Sequence, residues 1–308
     1  MNAQFRSSSA GLLAILLGGI AVLVVAFAVR PDDARAQTPG GVTQLVLGIY
    51  CPNAKFGGSG ARWGYINRVA KHVANITGIP TKGRAFGSSG SFGGSLGRLD
   101  FAVVDPIYLC RHRGRLRVLL TGRMGGGSRA SWALFARSSG GVMGLRGKRL
   151  IVAQASGAET SFAEGMFYGQ IAVSKFFSRV KRAPDLASAV AAVRGGSADA
   201  VFAPTSMGGG LSRVFSAGSV PNAGFVLVRR SLPGALVSKV RAAVRGYGAG
   251  GVGGWGGAGG YSCRFGRRHF SMASVRPRPV RFSGASVLRL RFGMDFSLQD
   301  VQKYYWRP

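Results

Sequence analysis

Residues 97–106 read GRLDFAVVDP, and residues 196–204 read GSADAVFAP. In both stretches an aspartate follows a glycine three positions later, four mostly apolar residues come next, and a proline ends the pattern. A short apolar run bounded by such residues predicts a strand that is buried on both faces, as in parallel sheets. Two units of this kind predict an α/β fold with two similar lobes.

The segments around these units alternate between strand-like and helix-like patterns. Strands are predicted at residues 44–50, 79–86, 99–104, 116–120, 132–136, 149–153 and 224–228. Helices are predicted at residues 63–78, 157–177, 184–195 and 232–244. Gly78 is the expected C-cap of the first helix. This order predicts two doubly wound lobes, each a parallel sheet with helices on both faces.

The charge of the chain is unusual for a protein of its size. The 308 residues suffice for two ordinary domains, and 41 Lys and Arg face 10 Asp and Glu, a net charge of +31. A surface this basic attracts polyanions such as nucleic acid, anionic lipid or acidic polysaccharide. Because the arginines are spread along the chain, a compositional habit of the source is the favoured explanation of this charge.

The amino terminus predicts export. Arg6 precedes residues 11–29, which carry no charge, and Ala34-Arg35-Ala36 forms a small-x-small cleavage pattern. Residues 1–36 are therefore predicted to be a signal peptide, and the mature protein to be periplasmic or secreted. An uncleaved membrane anchor is the alternative, because the apolar stretch nearly reaches the roughly 20 residues that span a bilayer.

Three cysteines in an oxidising compartment predict one disulfide and one free thiol. Cys51 and Cys110 each closely follow a predicted strand of the first lobe, which favours their pairing, while pairings with Cys263 stay open. No spacing of Cys and His supports a zinc site, and neither a metal nor another cofactor is expected.

The last part of the chain has a different composition. Residues 246–260 are rich in glycine around Trp255, which predicts a flexible segment rather than a core element. Residues 261–292 are basic with scattered aromatic residues, and a short helix capped by Ser297 is predicted at 296–306.

Sequence motifs give no support for catalysis. Residues 93–97 match Gly-x-Ser-x-Gly, but a nucleophile elbow follows a strand, and here a strand comes after the match. The glycine-rich match at 246–251 follows a helix, which excludes a dinucleotide fingerprint. No paired carboxylates stand out for acid–base chemistry. We therefore expect a binding protein and not an enzyme.

Three motifs together resemble the phosphate/phosphonate-type substrate-binding proteins of ABC transporters. They are GRLDFAVVDP at 97–106, LRGKRLIV at 145–152 and AVAAVRGGSADA at 189–200, and the resemblance covers roughly residues 42–245. It implies a two-lobed fold like that of type 2 periplasmic binding proteins, with hinge crossings near 125–135 and 205–224. Lobe 1 is then residues 42–130 with 220–245 returning to it, lobe 2 is residues 135–215, and residues 246–308 form a glycine-rich segment and basic tail.

The resemblance also implies a function. We expect from it a monomeric extracytoplasmic protein that captures a small, oxyanionic, phosphonate- or phosphate-like solute between its lobes and delivers it to ABC transporter membrane subunits or to a membrane sensor. The net charge of +31 supports a different function, a secreted protein that keeps this fold but binds a polyanion or an anionic envelope surface.

Candidate ligand groups follow from the predicted sheets, because ligands bind at the carboxyl ends of strands in open α/β folds. The residues at or near those ends are Tyr50, Ser88, Ser89, Asp105, Tyr108, Ser156, Glu159, Thr160, Ser161 and Thr205. The turn at 155–161 is expected to present free backbone N–H groups and hydroxyls to an oxyanion at the start of a helix. Its acid, Glu159, opposes a bare phosphate and suits an ammonium group on the same ligand.

Several of these residues have a structural alternative. Asp105 precedes Pro106 and is either a ligand or the N-cap of a helix. Tyr50 and Tyr108 either stack on a ligand or pack in the core. Asp100 and Asp199 are expected to fix the turn between helix and strand through hydrogen bonds to their own backbone.

Overall fold

The two motif aspartates join each motif strand to its parallel neighbour. Asp100 accepts a hydrogen bond from the Val46 N–H at 2.7 Å, and Asp199 accepts one from the Arg149 N–H at 2.8 Å. The expectation that each aspartate bonds to its own turn is therefore wrong. The repeated sequence builds the same strand pairing twice, once in each sheet.

The computed structural model describes residues 41–112, 114–248, 250–259, 261–265 and 268–269. Its strands are β1 (Leu45–Tyr50), β2 (Thr81–Ala85), β3 (Phe101–Val104), β4 (Arg117–Gly122), β5 (Arg129–Ala136), β6 (Arg149–Ala153), β7 (Arg179–Ala183), β8 (Ala200–Pro204), β9 (Ser212–Pro221), β10 (Gly224–Leu227), β11 (Trp255–Gly257), β12 (Arg264–Phe265) and β13 (Arg268–His269). Its α-helices are α1 (Ser59–Thr77), α2 (Ser89–Ser95), α3 (Pro106–Arg111), α4 (Glu159–Met166), α5 (Val173–Phe176), α6 (Leu186–Arg194) and α7 (Gly234–Gly246). The predicted signal peptide and the helix at 296–306 lie outside the described residues.

Two sheets form the body of the protein, which confirms the predicted α/β class with two lobes. The first has the order β11-β4-β10-β3-β1-β2, and the second has the order β7-β6-β8-β5-β9. Each is parallel at its motif strands, but β10 and β5 run antiparallel to their neighbours. The sheets are therefore mixed, and the expectation of purely parallel sheets is wrong.

The chain passes between the sheets after β4 and returns after β9. The second sheet uses residues from Arg129 to Pro221, so its strands extend beyond the predicted 135–215 at both ends. Asn222 lies in the return crossing, and its side-chain amide donates hydrogen bonds of 2.8–3.0 Å to three carbonyls of the outward crossing: Gly122, Met124 and Gly127. The two crossings are thus held together as one hinge.

The first predicted helix is confirmed and the second is not. Gly78 ends α1 in the left-handed conformation at φ 76°, as expected for a C-cap. The long helix predicted at 157–177 is instead the two short helices α4 and α5. Tyr168 and Gly169 separate them with φ angles of 57° and 71°, which no α-helix accommodates.

The glycine-rich segment contributes to the core, so its prediction as flexible is wrong. Trp255 is 4% exposed, pairs with Gly122 in the first sheet, and donates a hydrogen bond to the Tyr65 hydroxyl at 3.1 Å. A Cβ at Gly250 would lie 2.3 Å from the Tyr65 ring, and one at Gly251 would lie 2.5 Å from a backbone oxygen. The glycines here allow close packing of the backbone.

One disulfide and one free thiol are present among the three cysteines, as predicted, but the favoured pairing is wrong. Cys110 pairs with Cys263 across a Cα–Cα distance of 5.5 Å. Cys51 is a free thiol at the end of β1, and burial raises its pKa well above the ordinary value. Its side chain lies in the core of the first lobe, away from the cluster that holds the other two cysteines.

The described residues all belong to one compact unit. Among them, no helix combines the length and the hydrophobicity needed to cross a bilayer.

Candidate functional site

The carboxyl edges of the two sheets meet at Tyr50 and Ser156. Tyr50 ends β1, Ser156 follows β6, and their hydroxyl oxygens lie 3.3 Å apart. Burial raises the pKa of Tyr50 to about 12, against the smaller opposing effects of the nearby Ser156 and Ser89 side chains. The phenol therefore stays protonated at neutral pH, and three predicted site residues from both lobes share one hydroxyl cluster.

Further hydrogen bonds link the lobes around this cluster. The Asn53 amide donates to the Gln154 carbonyl at 2.9 Å, and the Gln154 amide donates to the Gly87 carbonyl at 3.1 Å. Arg62 of α1 forms an ion pair of 3.1 Å with Asp185 at the start of α6, and both side chains are almost fully buried. The lobes are in direct contact along this edge.

The turn before α4 already contains an anion, the carboxylate of Glu159. Its Oε1 accepts hydrogen bonds from the N–H groups of Ala155 at 3.0 Å and Gly157 at 3.2 Å. The expectation that this turn offers free N–H groups is wrong for these two donors. Ser156 adopts φ 58°, an uncommon conformation for a residue with a side chain and one often found at functional sites.

The hydroxyl-bearing residues after this acid remain accessible. Thr160 and Ser161 lie in the first turn of α4, and both are exposed. No side chain within the described ranges caps this helix start, where the positive end of the dipole lies. The turn therefore offers two hydroxyls and a favourable potential beside the hydroxyl cluster.

Two predicted site residues are not joined to the cluster by hydrogen bonds. Ser88 is the N-cap of α2, and its Oγ accepts the Ser91 N–H at 3.1 Å. Thr205 is exposed in the turn that follows β8. Within the described residues, neither hydroxyl bonds to Tyr50 or Ser156.

Asp105 is a buried N-cap. Its Oδ1 accepts the Ile107 N–H at 2.9 Å, and its Oδ2 accepts the Asn53 N–H at 3.0 Å. Burial raises the pKa of Asp105 to about 6. The carboxylate is 1% exposed and bonds to backbone, so its structural alternative accounts for this geometry.

Tyr108 packs in the core of the first lobe. Its ring lies 5.7 Å from that of Tyr50 and 5.0 Å from that of Phe92, both nearly edge-on. It is 3% exposed, so packing rather than stacking on a ligand accounts for its position. Its edge-on contact with Tyr50 helps to hold that ring in place.

Arg111 is a candidate site residue that the sequence analysis missed. It ends α3, and its buried Nη1 has no hydrogen-bond partner among the described residues. A Cβ built on Gly157 would lie 3.5 Å from this nitrogen, so the guanidinium of lobe 1 faces the turn of lobe 2. The one feature of the sequence that could have indicated it is its place in the helix capped by Asp105, about one turn after the predicted site residue Tyr108.

Together, the side chains at this edge suit a small molecule that carries both a negative and a positive charge. Arg111 and the start of α4 attract an anion, and Glu159 attracts a cation. The hydroxyls of Tyr50, Ser89 and Ser156 can donate or accept. The described residues contain no cluster of three or more His, Cys, Asp or Glu that could hold a metal ion.

Comparisons with solved structures identify the fold. The chain resembles a binding protein component of an ABC phosphonate transporter from Pseudomonas aeruginosa, with a TM-score of 0.54 and 14% identity over 68% of this chain and 76% of that one. It also resembles PhnD1 from Prochlorococcus marinus in complex with methylphosphonate, with a TM-score of 0.54 and 10% identity over 66% of this chain and 84% of that one.

Comparisons of the sequence identify no relative, since no family model and no curated protein matches the chain. The likeness in structure nevertheless covers about two thirds of this chain. The protein has the two-lobed fold of the phosphonate-type periplasmic binding proteins.

Proposed function

We propose that this protein is an extracytoplasmic solute-binding protein that holds a small oxyanionic ligand between its two lobes. The observation that carries the proposal is the hydroxyl cluster, in which Tyr50 of lobe 1 lies 3.3 Å from Ser156 of lobe 2, with Ser89 of lobe 1 close to Tyr50. A ligand bound there contacts both lobes at once, and its binding energy therefore favours the closed arrangement.

The ligand is a zwitterion, with a phosphonate-like group at one end and an ammonium group at the other. Glu159 occupies two backbone donors of its turn, so a bare oxyanion would meet a carboxylate where it needs N–H groups. A ligand ammonium compensates that charge, while the oxyanion is bound by Ser156, Thr160 and Ser161. An aminophosphonate satisfies both requirements.

The protein passes this solute to ABC transporter membrane subunits or to a membrane sensor. Export by residues 1–36 places it in the periplasm or outside the cell, where it acts as a monomer. The two similar structures are components of phosphonate transport or bind methylphosphonate, which supports a role in binding rather than catalysis.

Mass spectrometry of small molecules that co-purify with the protein tests this function. The protein is purified from an extracytoplasmic fraction, denatured, and compared with the Thr160→Ala, Ser161→Ala double variant. We expect a stoichiometric phosphorus-containing zwitterion that is depleted in the variant. A co-purifying nucleic acid or acidic polysaccharide, with no small solute, would instead support the polyanion-binding alternative that the net charge of +31 favours.

A further inference from the structure

Arg111 is a cationic side chain whose buried Nη1 finds no hydrogen-bond partner in the part of the chain that the structure describes. A buried guanidinium donor without a partner is unfavourable by more than a neutral one, because it loses its hydration. This nitrogen lies beside Gly157, in the turn where the proposed ligand binds. An anion bound at this turn would therefore supply the missing hydrogen-bond partner of Arg111 and remove the cost of burying its Nη1.

The position of Arg111 depends on the covalent bond next to it. Cys110 precedes it in α3 and forms the disulfide with Cys263. The segment around Cys263 is held at the hinge, because the Tyr261 hydroxyl donates to the Asn222 carbonyl at 3.0 Å. The carboxyl end of α3 is thereby fixed to a segment that crosses from the first sheet toward β9.

This segment makes a third connection between the lobes. It follows β11 of the first sheet, Cys263 packs in the core of the second lobe, and Arg129 at the start of β5 donates to the Ser262 carbonyl at 3.5 Å. A disulfide at this point restricts movement of α3 relative to the turn before α4.

We propose that Arg111 binds the anionic end of the solute and that the Cys110–Cys263 disulfide positions its guanidinium, an inference that rests on the proposed function. Arg111 approaches from lobe 1 and the turn from lobe 2. The anion is therefore bound from both sides, and its recognition is coupled to lobe closure. A planar guanidinium suits two oxygens of one phosphonate group.

Isothermal titration calorimetry with 2-aminoethylphosphonate and methylphosphonate tests the role of Arg111. Arg111→Gln should weaken binding of both by about 10- to 100-fold, the effect of losing a hydrogen bond to a charged group. Arg111→Lys should restore part of the affinity. The control Arg117→Gln removes an equal charge from an exposed position at the start of β4 and should leave affinity within about twofold.

The outcomes separate the two claims. If the wild type binds either probe and Arg111→Gln binds it equally well, the role of Arg111 is overturned and the proposed function stands. If the wild type binds neither these probes nor any other oxyanion, the proposed function fails and this inference fails with it.

A double-mutant cycle tests the positioning role of the disulfide. Replacing Cys110 and Cys263 together by serine should weaken binding in the wild type but not in the Arg111→Gln background. Equal losses in both backgrounds would show that the disulfide acts on the fold alone. Thermal denaturation checks each variant for folding, and if the serine pair does not fold, the alanine pair replaces it in the cycle.

Discussion

The carboxylate of Glu159 accepts a hydrogen bond from the backbone N–H of Ala155 at 3.0 Å. The same oxygen also accepts the N–H of Gly157. A turn whose shape suits an external oxyanion thus already binds an anion of its own. This places a fixed negative charge beside the hydroxyl cluster of Tyr50 and Ser156, and it makes Glu159 the residue expected to decide which solutes bind.

Replacing Glu159 by glutamine should change the selectivity of the site. Affinity for methylphosphonate should rise and affinity for 2-aminoethylphosphonate should fall, each by about 3- to 10-fold, because a partly exposed charge is worth about 1 kcal/mol. Competition calorimetry measures both. Glu164→Gln, later in the same helix, is the matched control and should change neither. If the affinities for both ligands rose together or fell together, Glu159 would not be the residue that recognises the ammonium group.

The exposed hydroxyls of α4 should contribute directly to affinity. The Thr160→Ala, Ser161→Ala double variant should weaken binding by about 1–3 kcal/mol per lost charged hydrogen bond. Its thermal stability should be unchanged, because both side chains are exposed. The Ser138→Ala, Ser139→Ala variant removes two exposed hydroxyls after β5 and serves as the control. Unchanged affinity in the α4 variant would locate the site elsewhere.

The strands that sequence reasoning found are those whose signal is local. The short apolar runs after Asp100 and Asp199 predict strands buried on both faces without reference to any distant residue. Both runs form central strands, β3 and β8. In contrast, β7 (RVKRA) is basic and β9 (SRVFSAGSVP) is polar and contains glycine. Their pairing with β6 and β5 comes from tertiary contacts, which periodicity does not report.

The same distinction applies to the site. The turn at 155–161 was found because it follows a strand and opens a helix, both visible in the sequence. The engagement of its N–H groups by Glu159 depends on the path of the backbone at Ser156, and the approach of Arg111 depends on how the lobes close. Cys110 and Cys263 pair across 153 residues. Their approach depends on the ordered path of the glycine-rich segment, which its composition predicted to be flexible.

Trp255 should be a major contributor to the stability of the first lobe. Trp255→Ala should lower the free energy of unfolding by about 3–5 kcal/mol, because the side chain is buried and pairs with Tyr65. Urea denaturation measures the change. Trp63→Ala is the control, since Trp63 is 61% exposed, and it should cost no more than about 0.5 kcal/mol. Similar costs for both would show that residues 250–257 are not part of the core.

Asp105 should make stability depend on pH in an unusual direction. Its pKa is raised from 3.8 to about 6 by burial, so the folded state binds more protons than the unfolded state between these values. The free energy of unfolding therefore falls as the pH rises through this window, by about 3 kcal/mol, and is constant above it.

Urea denaturation from about pH 4 to 7 should show this slope in the wild type and a shallower one in Asp105→Asn, where Asp100, whose pKa burial also raises, still contributes. Asp199, whose pKa the Arg149 guanidinium lowers to about 2, acts with the opposite sign and below this window. An identical slope in the Asp105→Asn variant would assign the effect to other groups.

Above all, we expect a small zwitterionic oxyanion to bind between the lobes. Calorimetric titration of the wild type with 2-aminoethylphosphonate, at about 50 mM and about 200 mM salt, tests it most directly. We expect saturable binding of one molecule per chain, with an affinity that changes only a few-fold between the two salt concentrations. Absence of heat with this and other small oxyanions, together with binding of a polyanion that weakens steeply with salt, would contradict it.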